Sequence, residues 1–151
     1  MTVKIEPASI RDLDVLAKIE RESFTVEAYT RWQLAFLLLS PGTIGFVARK
    51  DAETVGFIIG MKEKSGRETV GHIITIDVSP KHRRTGVGLQ ILDRLEQEFL
   101  AQGVTTVYLE VRVDNQAARR LYAKEGYSEL EPLENYYDKG KHGLRMKKTL
   151  K

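Results

Sequence analysis

Cysteine is absent from this 151-residue sequence, and histidine is scarce, with only three residues. Without thiols the chain can form no disulfide bond, no thiolate nucleophile and no cysteine-ligated metal site. The histidines, His72, His82 and His142, do not have the spacing of a metal-binding motif. The sequence therefore predicts no metal centre and no thiol chemistry.

Long apolar runs and a strong charge of one sign are also absent. The longest apolar run covers residues 34–39, far short of the roughly 20 residues of a membrane-spanning helix, and the N-terminus lacks an apolar signal core. Lys and Arg total 24 against 21 acidic residues, and the net charge of +3 is too small to imply nucleic-acid binding. We therefore expect a cytoplasmic protein without a membrane or nucleic-acid partner.

The remaining pattern is that of one mixed α/β domain spanning residues 1–151, because 42% of the residues are hydrophobic and could form a single core. Extended, Val- and Ile-rich segments predict strands over residues 3–6, 45–50, 54–62, 69–78, 105–112, 127–130 and 144–150. Helical spacing predicts helices over residues 9–23, 30–39, 87–103 and 115–125. The first helix is expected to begin at Ser9, with Asp12 as the acidic partner of a capping box.

A basic loop with two glycines follows the predicted strand that ends at Val78. Gly86 and Gly88 allow the backbone to approach a ligand closely, and Arg83 and Arg84 can donate charge-assisted hydrogen bonds to phosphate oxygens. A helix that begins after such a loop can hold a pyrophosphate on its free N–H groups. On these residues alone, two interpretations stay open: a phosphate cradle for a nucleotide-type cofactor, or a basic solvated turn before an ordinary helix.

Two common nucleotide-binding loops do not match this segment. A Walker A loop requires Lys followed by Ser or Thr after its second glycine, and Leu89 and Gln90 stand there instead. A dinucleotide fingerprint requires a third glycine, and Ile91 occupies that position. Any phosphate-binding role must therefore belong to another type of loop.

Two ordered motifs resemble those of the GNAT acetyltransferases. The segment RRTGVG, residues 83–88, is similar to the family signature Arg/Gln-x-x-Gly-x-Gly/Ala, which binds the pyrophosphate of acetyl-CoA. The segments LEVRVDNQAA, residues 109–118, and LYAKEGY, residues 121–127, resemble the second family block, LEVR-x-x-N-x-x-A followed by LY-x-K-x-G-F. The chain is identified by this resemblance as a member of that family.

The resemblance implies an α/β GNAT fold, with a mixed, mostly antiparallel sheet of about seven strands flanked by about four helices. It also implies acetyl-CoA, or coenzyme A, as the cofactor. Main-chain groups of Asp77, Val78 and Ser79 would pair with the pantetheine amides, and N–H groups from Arg84 to Gln90 would receive the phosphates. The full set of implied cofactor residues is Asp77, Val78, Ser79, Arg83, Arg84, Thr85, Gly86, Val87, Gly88, Leu89, Gln90, Asn115 and Tyr122.

Three further segments resemble the protein N-terminal acetyltransferases within that family. These are GHIITIDV at residues 71–78, FTVEAY at residues 24–29, and NYYDKG at residues 135–140 followed by Met146. The resemblance implies that the substrate is a protein or peptide N-terminus. Glu27, Tyr29, Tyr136 and Tyr137 would form the peptide site, since paired aromatic rings and one carboxylate suit a short backbone with a charged amine. Ordinary loop packing is the alternative for each of these four residues.

Acetyl transfer requires a neutral amine, and an α-amino group has a pKa near about 8, so a modest general base suffices. By resemblance Glu110 is that base; its predicted strand places it on the face opposite Leu109. Tyr122 is by resemblance the general acid for the departing sulfur. His72 is a second candidate base. The alternatives are a surface ion pair with Arg112 or a neighbouring basic side chain for Glu110, half-buried aromatic packing for Tyr122 and a hydrogen-bonded core histidine for His72.

Two departures from the family pattern concern the substrate. Asp77 stands where alanine is common, which places a carboxylate either near the cofactor or on the far face of the sheet. The basic segment KGKHG, residues 139–143, replaces an acidic run. Acetylation of lysine side chains, polyamines or other small amines, and a non-catalytic CoA-binding regulator, stay open as alternatives. Nucleic-acid binding through the basic tail is a third.

Overall fold

The computed structural model describes residues 3–24 and 26–151, and this part of the chain contains seven strands and four α-helices. The strands are β1 (Lys4–Pro7), β2 (Thr43–Lys50), β3 (Glu53–Ser65), β4 (Glu68–Val78), β5 (Thr106–Arg112), β6 (Ser128–Asp138) and β7 (Lys141–Thr149). The helices are α1 (Leu13–Ser23), α2 (Arg31–Leu39), α3 (Val87–Ala101) and α4 (Gln116–Lys124).

All seven strands form one sheet in the order β1-β2-β3-β4-β5-β7-β6. Every neighbouring pair is antiparallel except β4 and β5, which are parallel. The helix α3 connects these two strands, as a parallel pair requires a crossover. The predicted mixed, mostly antiparallel sheet with four helices is therefore confirmed.

Short sequence signals determine where the first two helices begin. Ser9 and Asp12 form the predicted capping box, which opens a 3₁₀ turn (Ile10–Asp12) that leads directly into α1. Thr30 and Gln33 form a second capping box at the start of α2. Each box satisfies backbone N–H groups that a helix start leaves without partners.

Apolar side chains form two clusters, one on each face of the sheet. Ile91, Leu95 and Phe99 of α3 are the centre of one cluster, and Leu16 of α1 with Leu34 of α2 are the centre of the other. The α3 cluster depends on a small residue in β4, because a Cβ at Gly71 would lie 2.8 Å from the Phe99 ring. Gly60 in β3 has the same role, because a Cβ there would lie 2.9 Å from side-chain atoms of Leu95 and Phe99.

A bulge in β4 opens the centre of the sheet. Ile73 pairs with Gly60 and Thr75 pairs with Ile59, so Ile74 is an extra residue in β4. Beyond this bulge β4 has no ladder to β5, since the parallel pairing covers only Gly71–Ile73 within the described chain. The two strands diverge, and the β5-facing edge of β4 is left free of strand pairing after Ile73.

The last two strands differ most from the predicted boundaries. The sequence predicts strands over 127–130 and 144–150, whereas β6 runs over Ser128–Asp138 and β7 over Lys141–Thr149. Most of β6 is exposed and polar, and it contains Pro132 and a left-handed Asn135. Such a strand lacks the alternation on which the prediction depends, and proline is tolerated because β6 is an edge strand.

Candidate active site

A cavity of about 120 Å³ lies where β4 and β5 diverge. Residues from both faces of the sheet line it, so the cavity passes through the sheet rather than lying on one side. The α1 side contributes Glu27, Tyr29 and Glu110, and the α4 side contributes Asn115 and Tyr122. The other lining residues are Glu20, Phe24, Ile73, Ile74, Thr75, Ile76, Leu109, Val111, Arg112, Ala118, Tyr136 and Tyr137.

The basic loop after β4 presents free backbone N–H groups at the start of α3. Arg84 and Gly86 both have left-handed backbone angles, with φ of 62° and 86°. Gly86 is the N-cap of α3, and no side chain caps this helix. The N–H groups of the first helical turn, at Val87, Gly88 and Leu89, therefore have no intrahelical acceptor. This arrangement suits an anion such as a pyrophosphate.

Three predicted cofactor residues already have protein partners in this loop. The Gln90 N–H donates to the Gly86 carbonyl oxygen at 3.1 Å as part of the helix, and its contact with phosphate stays a prediction. The Ser79 N–H donates to the Val55 carbonyl oxygen at 2.8 Å. The Val78 carbonyl oxygen accepts from Arg83 Nε at 3.2 Å. Of these three groups, only the Val78 carbonyl could become free to accept from a ligand, because its donor is the exposed side chain of Arg83, which can turn away.

Asp77 points away from α3, toward α1. It is 2% exposed, and its Oδ1 accepts from the Thr75 hydroxyl at 2.7 Å. Of the two positions that the sequence left open, the far face is therefore the observed one. Asn115 caps α4, accepting from the Ala118 N–H at 3.2 Å, and lines the cavity.

Glu110 lies on the face opposite Leu109, as predicted, and is held from both sides. Its Oε1 lies 2.6 Å from His72 Nε2, and its Oε2 accepts from Arg145 Nε at 3.0 Å. Burial favours the neutral carboxyl, but the hydrogen bonds from His72 and Arg145 outweigh it and hold the pKa of Glu110 below its usual value. Arg112, considered as a partner from the sequence, instead contacts Glu27 and Asp114.

His72 lies between two carboxylates. Its Nδ1 is 2.9 Å from Glu63 Oε2, and its Nε2 faces Glu110. Two acceptors on the two ring nitrogens favour the doubly protonated ring. Burial opposes this charge, but Glu110 and Glu63 outweigh it and raise the pKa of His72. His72 does not line the cavity, so it contacts the reacting space only through Glu110.

Tyr122 is buried in α4 and is 6% exposed, where the sequence suggested half-burial. Its ring packs edge-to-face on Tyr127, with ring centroids 5.8 Å apart. Burial, together with the nearby Asp77, raises the pKa of Tyr122, so the phenol stays protonated. Within the described chain we find no hydrogen bond to its hydroxyl, and the side chain lines the cavity.

The four predicted peptide residues meet on the α1 side of the cavity. Glu27 Oε2 accepts from Arg112 at 3.2 Å, and Tyr136 packs edge-to-face on Tyr137 at 4.9 Å between centroids. Burial, with Tyr136, Glu20 and Glu110 nearby, raises the pKa of Tyr29 to about 12. The tyrosine side chains are therefore neutral, and carboxylates carry the negative charge at the α1-side opening of the cavity, which we call its mouth.

The basic segment of residues 139–143 lies beside this mouth, where Gly143 packs against Tyr136 and Tyr137, and is not part of the cavity lining. Lys139 and Gly140 form the turn between β6 and β7, and none of the five residues lines the cavity that the described chain encloses. His142 Nδ1 accepts from the Asn135 N–H at 2.9 Å, which secures the turn.

Several residues around the cavity were missed from the sequence. Arg145 lies opposite Glu110 in the β5–β7 register, and Glu63 lies beside His72 on β3. Glu20 could have been found: it follows Leu13, Leu16 and Ala17 at helical spacing, so a carboxylate stands on the buried stripe of α1. Cross-strand partners carry no such signal, because register is a tertiary property.

No described helix is long and apolar enough to cross a membrane. Likewise, in residues 3–24 and 26–151 there is no group of three or more His, Asp or Glu side chains that could hold a metal ion.

Comparison with known proteins identifies the class. The model of the acetyltransferase (GNAT) family matches residues 9–127. An uncharacterized N-acetyltransferase of Methanocaldococcus jannaschii is 34% identical over 143 residues, covering 94% of this chain and 88% of the relative. The chain therefore belongs to the GNAT family and is an acetyl-CoA-dependent N-acetyltransferase.

Two further relatives have a narrower description. An N-alpha-acetyltransferase of Sulfurisphaera tokodaii is 31% identical over 163 residues, covering 95% of this chain and 90% of the relative. The crystal structure of Ard1 from Thermoplasma volcanium superimposes with a TM-score of 0.90 at 29% identity, covering 100% of this chain and 99% of that one. The predicted resemblance to N-terminal acetyltransferases agrees with these similarities.

Proposed function

We propose that this protein transfers the acetyl group of acetyl-CoA to the N-terminal α-amino group of a protein or peptide. The observation that carries the proposal is the cavity that passes through the sheet. One mouth has the carboxylates and tyrosines suited to an ammonium group on a short backbone, and the other is lined by Asn115 and Tyr122 on the α4 side. The uncapped start of α3, which follows β4 in the chain, offers free N–H groups to a pyrophosphate. The N-alpha-acetyltransferase relatives support this choice of acceptor.

The residues present fit coenzyme A. The uncapped start of α3, with Gly86 in a left-handed conformation, suits the pyrophosphate, and the unpaired edge of β4 after Ile73 suits the pantetheine amides. Arg84 and Thr85 would add donors beside Val87, Gly88 and Leu89. Arg83 would leave the Val78 carbonyl so that this oxygen could accept from the ligand. When bound, acetyl-CoA supplies the activated acetyl group as a thioester.

Glu110 is our candidate for the proton acceptor. Its low pKa keeps it ionised at neutral pH, which makes it a weak base toward a free ammonium group. The amine nitrogen becomes much more acidic as it bonds to the acetyl carbon, so a carboxylate, directly or through water, can take the proton at that stage. His72 and Arg145 orient Glu110, and His72 acts as its positioning residue rather than as a second base.

Tyr122 is our candidate for the proton donor to the departing sulfur. Its raised pKa keeps the proton on the phenol until a stronger base develops beside it. Burial in α4 fixes the ring against Tyr127, so the hydroxyl is oriented toward the cavity without competition from another protein acceptor among the described residues. Glu27, Tyr29, Tyr136 and Tyr137 would hold the acceptor peptide.

The decisive experiment measures thiol release from acetyl-CoA with matched peptides whose N-termini are free or blocked, each containing one internal lysine. We expect acetylation of the free N-terminus only, located by mass spectrometry. Glu110→Gln and Tyr122→Phe should each lower kcat by about a hundredfold or more while CoA binding is retained. Acetylation of the blocked peptide at lysine would support the side-chain alternative and contradict the proposal.

A further inference from the structure

Three buried polar side chains next to the cavity form a hydrogen-bonded chain that the proposed mechanism does not use. The Thr75 hydroxyl lies 3.0 Å from Glu20 Oε1 and 2.7 Å from Asp77 Oδ1. Glu20, Thr75 and Asp77 are 1%, 6% and 2% exposed. We call these three residues the carboxyl chain. It joins α1 to β4, the strand that ends in the cofactor loop.

The carboxyl chain must contain one extra proton. The Thr75 hydroxyl has a single hydrogen and can donate to only one of its two carboxyl neighbours. If both carboxyls were ionised, the other contact would bring two oxygen lone pairs together at under about 3 Å inside the protein, which is strongly unfavourable. One carboxyl is therefore protonated and donates to Thr75.

Asp77 is the carboxyl that holds this proton. Both Glu20 oxygens already accept hydrogen bonds, Oε1 from the Thr75 hydroxyl at 3.0 Å and Oε2 from the Tyr29 N–H at 2.9 Å. Asp77 Oδ2, by contrast, is buried without a hydrogen-bond partner among the described residues. In this arrangement the Asp77 O–H donates to the Thr75 oxygen, and the Thr75 O–H donates to Glu20. The Tyr29 N–H donates to the other oxygen of Glu20.

The Glu20 end of the carboxyl chain holds the segment that would bind the substrate. Glu20 binds the backbone of Tyr29, two residues after Glu27, and both of those side chains line the cavity. We call residues 26–30 the substrate loop. The hydrogen bonds of Glu20 thus hold the substrate loop against β4, at the bulge where the sheet opens.

We propose that the carboxyl chain, protonated at Asp77, positions the substrate loop for the acceptor peptide, and that Glu20, Thr75 and Asp77 are positioning residues for the acceptor rather than for acetyl-CoA. The inference deepens the proposed function, since it rests on the assignment of Glu27 and Tyr29 to the acceptor. Loss of the Asp77 proton breaks the chain and loosens the loop.

The groups that face Asp77 come from three other parts of the fold. Glu20 approaches from α1, Tyr122 from α4 and Arg83 from the basic loop. Burial, followed by the charge of Glu20, raises the pKa of Asp77 well above its usual value, while Thr75 and Arg83 oppose this only in part. Asp77 therefore keeps its proton to a higher pH than an ordinary aspartate.

Infrared spectroscopy of the apo protein tests the proton without any use of activity. Wild type at neutral pH should show the carbonyl band of a buried, protonated carboxylic acid. The band should disappear in Asp77→Asn, and also in Glu20→Gln, because the glutamine amide can donate to Thr75 and leave Asp77 ionised. Absence of the band from wild type, or its persistence in Asp77→Asn, would overturn the proposal.

Steady-state kinetics test the positioning role. Thr75→Val should raise the peptide KM about tenfold while the KM for acetyl-CoA is unchanged, because it removes one buried hydroxyl and both of its bonds. In wild type the peptide KM should rise at alkaline pH; Asp77→Asn, whose amide donates at every pH, should hold it low. A folded Thr75→Val with unchanged peptide KM, or identical alkaline profiles for wild type and Asp77→Asn, would refute the role.

The two proposals fail in different ways. If no peptide is acetylated although the infrared band is present and disappears as expected, the proposed function is wrong and the proton-sharing chain stands. If peptides are acetylated but the band is missing, the function stands and the carboxyl chain does not contain the proton. The melting temperature of each variant, measured by circular dichroism, shows that it is folded in either case.

Discussion

At the scale of single residues, the environment of Glu110 decides its chemistry more than its type does. His72 and Arg145 both donate to this carboxylate and lower its pKa against the effect of burial. Arg145→Gln removes one of these donors, so the pKa of Glu110 should rise. Because the proposed reaction needs ionised Glu110, we expect the acidic limb of the kcat/KM profile to move to higher pH, by about one pH unit.

Lys147→Gln is the matched control for this prediction. Lys147 lies two residues after Arg145 on the same face of β7, and its substitution by Gln removes the same charge. The Nζ of Lys147, however, lies 5.9 Å from the centroid of the Tyr108 ring and does not contact Glu110. The acidic limb of the kcat/KM profile of Lys147→Gln should coincide with that of wild type. Equal shifts in both variants would mean that general charge, and not the contact with Glu110, controls the profile.

At the scale of elements, local signals predicted the capped turn before α1 and the basic loop before α3, whereas contacts between distant segments were not predictable. Ser9 and Asp12 cap the first turn through neighbouring atoms, so sequence spacing alone identified them. The length of β6 depends on pairing with β7 and not on its own polar sequence. The partners of Glu110 likewise required the register of β4, β5 and β7.

The loop before α3 gives a prediction about an element as a whole. Gly86→Pro replaces a φ of 86° by the proline value near about −65°, so the loop must leave the conformation that presents its N–H groups. We expect CoA binding, measured by calorimetry, to weaken beyond detection. The variant should remain folded, because this loop lies outside the two apolar clusters that hold the helices on the sheet.

Gly66→Pro is the control for this loop variant. Gly66 also has a left-handed φ, of 63°, and a Cβ there would meet no atom within 4 Å, but it lies in the turn between β3 and β4, away from α3. Both variants should lose stability through backbone strain, and only Gly86→Pro should lose CoA binding. Loss of binding in both would show that the effect is global rather than local to the phosphate loop.

At the scale of the whole molecule, ionisable groups couple stability to pH in opposite directions. Glu110 has a lowered pKa, so its contribution to stability is present above its unfolded value and is lost as the pH falls through its folded value. Asp77 has a raised pKa, so its contribution is complete below the unfolded value of about 4 and is lost as the pH rises toward the folded value.

The difference between wild type and Asp77→Asn isolates the second contribution, since every other titrating group is shared. We expect the free energy of unfolding of wild type, from urea titrations at a series of pH values above about 4, to decline relative to that of Asp77→Asn as the pH rises. The gap should stop growing once Asp77 is ionised in the folded state as well. Parallel curves across this range would mean that Asp77 has the same pKa in the folded and unfolded states. That result would contradict the structure, because Asp77 is buried in contact with Thr75 and a buried carboxyl should not titrate like an exposed one.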